Sequence, residues 1–424
     1  MESMTQVARE GARLAAYDDD EPTESSMMQE DTERECARFY VDVASAPETF
    51  LGGMRSMGLL RGNDDEMHLL REETIDYLRR GLTIPLGASY TSLDASRPWL
   101  LYWMLQALDL LDAFPSDLVA GVRLALKECC AAGSLGFGGN FMQVGHTAPT
   151  YAAVLAICIL DDDEAFQLLD RDAIYRFFMS LKHPSGGFRV QPDGEIDTRG
   201  LYTVLAVASI LNILTPELTE GCAKFIADCQ TYEGGIGGEP GNEAHGGYAF
   251  CGIAALAILG ELDAIDLDAF VHWIAARQMR YEGGFQGRTN KLVDACYSFW
   301  QGATPAILRE AAVRGDLHSS IGALAGVEGL IYDEERMQQY IILCCQQFQG
   351  GLRDKPSKRR DQYHTCYALS GLSVAQLGGS KVWGTQTNRL VETDPVYNIE
   401  REKLRRAKER FADLPPPVLS ESTD

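Results

Sequence analysis

Gly283-Gly284-Phe285-Gln286-Gly287-Arg288-Thr289-Asn290-Lys291-Leu292-Val293-Asp294-Ala295-Cys296-Tyr297-Ser298-Phe299-Trp300 is one copy of a pattern that runs through most of the chain. The Gly pair marks a sharp turn, because glycine reaches backbone conformations closed to other residues. A short polar segment follows, then a helix that opens on an aromatic and runs into small apolar residues. Gly-rich turns recur at Gly138-Gly139, Gly186-Gly187-Phe188, Gly234-Gly235-Ile236 and Gly350-Gly351-Leu352. The helices behind them align on Tyr151, Tyr202, Tyr248, Tyr297 and Tyr367, and Arg97-Pro98-Trp99-Leu100-Leu101-Tyr102 supplies a sixth start with Pro98 in the first turn. The spacing of about fifty residues suits one helix pair, with an insertion of roughly twenty before the last.

Outside these turns the chain is poor in Pro and lacks long β-branched alternation, so an all-α fold is expected. Six helical hairpins can form an open solenoid or a closed ring. Small residues behind each Tyr, such as Ala152-Ala153, Gly252 to Ala255 and Ser370-Gly371, favour tightly packed inner helices. The expectation is an α-α toroid, six inner helices inside six outer ones. Residues 1–35 read as an acidic leader, disordered or loosely attached, residues 36–400 as a single toroid, and residues 401–424 as a C-terminal helix with a Pro-rich tail.

Of 424 residues, 46% are hydrophobic, enough for a sizeable core. A formal net charge of −23 argues against a nucleic-acid binder and against attraction to an anionic membrane. The longest apolar run, Val204 to Leu214, is too short to span a bilayer, and the first residues carry no signal-peptide pattern. Eleven Cys without framework spacing suit free thiols in a reducing cytosol.

Three residues before the aligned aromatics lie Trp99, Ala148, Arg199, His245, Asp294 and His364, each one turn N-terminal on the same helix face. That places metal ligands and cations together at one mouth, where the positive ends of the helix dipoles favour anions. If Asp294, Cys296 and His364 converge, they offer three ligands and an open fourth position, the pattern of a catalytic zinc. Arg288, Lys291, His245 and the Tyr297 hydroxyl suit a diphosphate. Trp300, Tyr202, Tyr248, Phe250, Trp99 and Trp103 would line an apolar funnel for a hydrocarbon chain. Together these imply alkylation of a thiol by an isoprenoid diphosphate.

The stretch from Arg288 to Trp300 closely resembles the β subunits of protein farnesyltransferases. So do Arg97-Pro98-Trp99, Ala148-Pro149-Thr150-Tyr151, Glu243-Ala244-His245-Gly246-Gly247-Tyr248, Gly351 to Pro356, Arg360 to Tyr367 and Pro395 to Ile399. The resemblance implies a toroid, a cytosolic heterodimer with an α subunit that lends a Lys near the diphosphate, and zinc on Asp294, Cys296 and His364. Carried over by motif, the diphosphate residues are His245, Arg288, Lys291 and Tyr297. The isoprenoid wall is Trp99, Arg199, Tyr202, Tyr248, Cys251 and Trp300. The acceptor's Cys-a-a-X tail meets Trp99, Trp103 and Tyr363, with Ala95, Ser96, His146, Ala148 and Pro149 around its last residue. Asp354 matches the position tied to Mg²⁺. Bulk at Trp99 and Tyr367 shortens the funnel for a fifteen-carbon chain, which favours farnesyl over the twenty-carbon group of a type I geranylgeranyltransferase. A catalytically silent helical scaffold is the rival from another class. Residues 1–35 and the segment Ala303 to Met337 depart from the family pattern.

Overall fold

The computed structural model describes residues 22–40, 46, 48–60, 66–131, 135–317, 320–326 and 329–417. Helices α1 (Glu24–Ala37) and α2 (Glu48–Ser56) precede the repeats. The hairpins then run α3 (Arg71–Thr83) and α4 (Arg97–Leu110), α5 (Val119–Glu128) and α6 (Thr147–Leu160), α7 (Arg171–Leu181) and α8 (Thr198–Ile210), α9 (Cys222–Asp228) and α10 (Gly246–Leu259). Next come α11 (Leu267–Ala275) with the broken helix α12 (Tyr297–Trp300) and α13 (Ala303–Arg314). Helix α14 (Glu334–Gln339), continued as a π-helix over Tyr340–Cys345, pairs with α15 (Gln362–Val374), and α16 (Arg401–Ala412) ends the fold. No helix among the described residues is long and apolar enough to cross a membrane.

Patterning decides which helix goes inside. Helix α6 buries every residue except Ala148, and a helix apolar all round belongs in a core. Helix α7 buries Ala173, Ile174, Tyr175, Phe177, Phe178 and Leu181 on one face and turns Arg171 and Arg176 outward. Inner helices pack in the order α4–α6–α8–α10–α13, and α12 packs on α15. Helix α15 returns to α4, which closes the ring and settles the choice between toroid and solenoid. The small residues are needed for this: a Cβ on Gly371 would stand 2.1 Å from Ser298 Oγ.

Four turns hold the first Gly of the pair in the left-handed region, at Gly186, Gly234, Gly283 and Gly350. Each is followed by an isolated antiparallel bridge to Phe188, Ile236, Phe285 or Leu352. The bridge in the first repeat is to Phe137, so its turn glycine is Gly136 (φ 75°) rather than Gly138. Backbone hydrogen bonds between neighbouring repeats also correct the register. Thr147, Thr198, Gly246 and Ala295 each donate to the following loop, at Val190, Gly238, Gly287 and Asp354. The equivalent helix-head slot therefore holds His146, Asp197, His245 and Asp294, with Asp361 heading α15. Tyr151 and Tyr202 lie five residues past that slot, whereas Tyr248 and Tyr297 lie three past it, so alignment on Tyr slipped the frame. Arg199 and His364 still fall in the first turn, at the same mouth.

The leader departs from expectation. Helix α1 has a capping box at Thr23 and Ser26, and it buries Ser26, Gln29, Thr32 and Cys36 against the ring. Gln29 Nε2 donates to the buried Glu282 at 2.8 Å, and the Tyr40 hydroxyl donates to the Glu282 carbonyl. Polar anchoring of this kind orders residues 24–35 without the apolar stripe that sequence reading seeks. Residues 1–21 and 418–424 lie outside the described residues.

Candidate active site

The first turns of the inner helices bring three donors together. One ligand atom each from Asp294, Cys296 and His364 lies within 4.8 Å of the others. Asp294 Oδ1 is 3.3 Å from His364 Nε2 and also accepts from the Cys296 amide at 2.9 Å. Asp361 Oδ2 sits 2.7 Å from His364 Nδ1, which leaves Nε2 to face the other donors. Burial and then the Asp294 charge push the Cys296 thiol well above its usual range. His364 is drawn up to about 10: burial opposes its charge, and the carboxylates of Asp294 and Asp361 overcome that. A thiol, a carboxylate and an oriented imidazole fit a borderline-soft divalent cation, whose charge reverses both shifts.

Beside this cluster the Tyr297 hydroxyl is 2.9 Å from His245 Nε2. The other ring nitrogen of His245 accepts from the Gly247 amide, and burial followed by the Arg288 charge lowers its pKa. Arg288 Nη1 donates to Glu243 at 2.6 Å, and Lys291 is exposed on the same loop. Asp354 reaches the cluster from the next repeat. Its carbonyl accepts from Ala295, and its carboxylate pairs with the buried Lys355. Burial and then Asp294 raise the Asp354 pKa.

Below the cluster, aromatic rings form a closed circuit. Trp99 lies 5.7 Å from Tyr151, Tyr151 5.4 Å from Tyr202, Tyr202 5.3 Å from Phe250, and Phe250 5.2 Å from Trp300. Trp300 stacks on Tyr367 at 4.3 Å, Tyr367 lies 4.9 Å from Tyr363, Tyr363 5.4 Å from Trp103, and Trp103 5.7 Å from Trp99. All six inner helices contribute. At the far end the hydroxyls of Tyr102 and Tyr202 donate to the carbonyls of Asn398 (2.8 Å) and Val396 (2.7 Å), so the segment 393–400 closes the floor.

Asp294, Cys296 and His364 are brought together, as are His245 with Tyr297. Tyr248 stands at the mouth, 5.4 Å from the His245 ring and beneath the Arg199 guanidinium, not in the belt. Arg199 is held by Asp197, and Cys251 is buried. Of the residues assigned to the acceptor tail, Trp103 and Tyr363 touch each other. His146 caps α6, with Ala148 and Pro149 in its first turn, and Ala95 and Ser96 precede α4. Sequence reading missed Asp361, Glu243, the Tyr151 ring and the floor. The Asp361 signal was present, an Asp ahead of an apolar helix run, which is a cap pattern.

Residues 69–399 match the prenyltransferase alpha-alpha toroid domain. A protein from Arabidopsis thaliana named protein farnesyltransferase subunit beta is 39% identical over 402 residues, covering 81% of this chain and 83% of that one. The protein of the same name from Schizosaccharomyces pombe is 42% identical over 316 residues, 74% of this chain and 80% of that one. A solved structure of Candida albicans protein geranylgeranyltransferase-I complexed with GGPP superposes with a TM-score of 0.65 over 81% of this chain and 99% of that one, at 21% identity, a likeness of fold. The chain thus belongs to the prenyltransferases, the protein-modifying branch of the α-α toroids. Within them its family is that of the protein farnesyltransferase β subunits.

Proposed function

We propose that this chain is the catalytic β subunit of a protein farnesyltransferase, moving a farnesyl group from farnesyl diphosphate to the cysteine thiol of a C-terminal Cys-a-a-X sequence. The observation that carries this is the Asp294, Cys296 and His364 donor set beside His245 and Tyr297, directly above the aromatic belt. Zinc on those three ligands would supply the acceptor as a thiolate at neutral pH. Asp361 keeps the His364 ring turned toward the metal. His245, Tyr297, Arg288 and Lys291 receive the charge that gathers on the departing diphosphate. The wall of Trp99, Arg199, Tyr202, Tyr248, Cys251 and Trp300 holds the isoprenoid and excludes water. Trp99, Trp103 and Tyr363 meet the acceptor tail, and Ala95, Ser96, His146, Ala148 and Pro149 surround its last residue. Asp354 would hold Mg²⁺ through its carboxylate, and the cation would neutralise the leaving diphosphate. Lys355 is its competitor for that carboxylate.

The partner in this reading is a prenyltransferase α subunit, and the compartment is a reducing cytosol, consistent with eleven free cysteines. The catalytic body is the toroid of residues 36–400, with α16 and the Pro-rich tail following. The test is a paired assay on the heterodimer with zinc and Mg²⁺, offering a Cys-a-a-X peptide farnesyl or geranylgeranyl diphosphate. Farnesyl transfer that is lost in Cys296→Ala supports the reading. Preference for geranylgeranyl would make the chain a type I geranylgeranyltransferase subunit, and no transfer with no bound zinc would leave a scaffold.

A further inference from the structure

Just past the end of α11, Arg277 is buried (7% exposed), outside the aromatic belt. Its Nη1 donates to Thr289 Oγ1 at 2.5 Å, its Nε has no hydrogen-bond partner, and its guanidinium lies over the Trp273 ring. The Thr289 hydroxyl passes the chain on, donating to Glu233 Oε1 at 3.0 Å. Glu233 comes from the turn of the preceding repeat, immediately before Gly234. One hydroxyl is therefore gripped from two directions by groups of opposite charge.

A buried guanidinium with so few partners is a poor way to gain stability, since apolar side chains of similar volume generally do as well or better. What the grip holds is the loop closed by the Gln286–Val293 bridge, which turns through Asn290 in the left-handed region (φ 59°). Thr289 sits between Arg288 and Asn290, and Lys291 follows. Arg288 is steadied by Glu243 at its tip, while the Lys291 ammonium has no ion pair among the described residues. Nothing on those two side chains fixes the backbone that carries them. The Thr289 clamp does.

We infer that Thr289, clamped between Arg277 and Glu233, positions the Arg288–Lys291 loop for the diphosphate leaving group. This rests on the proposed function, and it assigns a role to three residues that touch no substrate. Misplacing a cation by about 1 Å can lower a rate by as much as ~100-fold. The clamp acts on diphosphate binding and on departure, and not on the acceptor tail.

Thr289→Val keeps the shape and removes the relay, whereas Thr289→Ser keeps the hydroxyl. In the heterodimer with its α subunit, Thr289→Val is expected to raise KM for farnesyl diphosphate and to lower kcat/KM by roughly tenfold. KM for the peptide and zinc content should hold, and Thr289→Ser should restore the wild-type values. Glu233→Ala removes the acceptor at the half-buried end of the same relay and gives the readout should the Val variant not accumulate. A purely structural threonine would instead lower Tm in Thr289→Val with unchanged KM, which overturns the inference. Direct binding of a non-transferable farnesyl diphosphate analogue separates the two levels. A wild-type protein that binds the analogue without transferring refutes the proposed activity yet still tests the clamp through the Val variant. Equal affinity in wild type and Thr289→Val refutes the clamp.

Discussion

Asp361 holds His364 twice, with one carboxylate oxygen 2.7 Å from its backbone amide and the other 2.7 Å from its Nδ1. One side chain therefore caps α15 and sets which imidazole nitrogen is offered to a metal. Partners of this kind typically change metal affinity by about 10–100-fold. Asp361→Asn retains an acceptor for the amide but loses the charge opposite the ring. Zinc affinity, measured by competition with a chromophoric chelator, should fall by about that factor with little change in Tm. Asp361→Ala should lose the same affinity and a further ~1 kcal/mol of stability with the cap. Unchanged zinc affinity in Asp361→Asn would remove the carboxylate from the site.

Glu282 links the leader helix to the ring and gives stability a pH dependence. Burial chiefly raises its pKa from 4.5 to about 7, against the lowering effect of the Gln29 hydrogen bond. The folded protein thus retains a proton, up to neutral pH, that the unfolded chain releases near 4.5. The associated stability is fully present below pH 4.5 and is lost as pH rises through 7, a span of roughly 3 kcal/mol. Glu282→Gln should flatten Tm between pH 5 and 8 and slow hydrogen exchange in α1 at pH 8. A slope equal to wild type would rule Glu282 out as the titrating group.

Trp99 and Tyr367 enter the belt from the adjacent helices α4 and α15, Trp99 against Trp103 and Tyr151, and Tyr367 stacked on Trp300. Replacing Trp99 by Ala opens the belt where it is half-buried. Competition between the two diphosphates should then shift toward geranylgeranyl, by tenfold or more if the added room is worth about 1.4 kcal/mol. Tyr367→Ala should shift it the same way, at a stability loss of about 3–5 kcal/mol for a buried aromatic. Unaltered preference in both variants would place chain-length selection elsewhere.

Tyr202→Phe deletes one oxygen that bonds both Tyr151 Oη (2.9 Å) and the Val396 carbonyl (2.7 Å). The half-buried Val396 carbonyl loses that donor, so chemical or thermal unfolding should report a loss of about 1 kcal/mol. Farnesyl affinity should change less, because the ring itself remains in the belt.

The sequence made the repeat legible because glycine turns and small-residue helices have no cheap substitutes. The register was less legible. Tyr recurs at different depths in α6, α8, α10 and α12, while the cap slot of His146, Asp197, His245, Asp294 and Asp361 keeps its place under changing residue types. Ligand convergence was readable because Asp294 and Cys296 sit in one short motif, and the helix head of α15 carries His364. The clamp on Thr289 was hidden, since Glu233, Arg277 and Thr289 meet only through three-dimensional closure of adjacent turns. Helix α1 was hidden for another reason: its buried face is Ser, Gln, Thr and Cys, which no hydrophobic period reveals.

The segment 393–400 also has a consequence for biosynthesis. The wall of the lumen needs α15 against α4, residues some 260 positions apart, and its base needs the carbonyls of Val396 and Asn398. Chains emerge from the ribosome N-terminus first, at about 5–20 residues per second. Every helix from α1 to α14 is therefore made before the lumen has either a complete wall or a base. A product that stops short of residue 400 carries most of the catalytic side chains yet holds an open tube that cannot keep a hydrocarbon from water. Enclosure of the lumen thus waits on residues 393–400, and a chain that ends before them lacks its base.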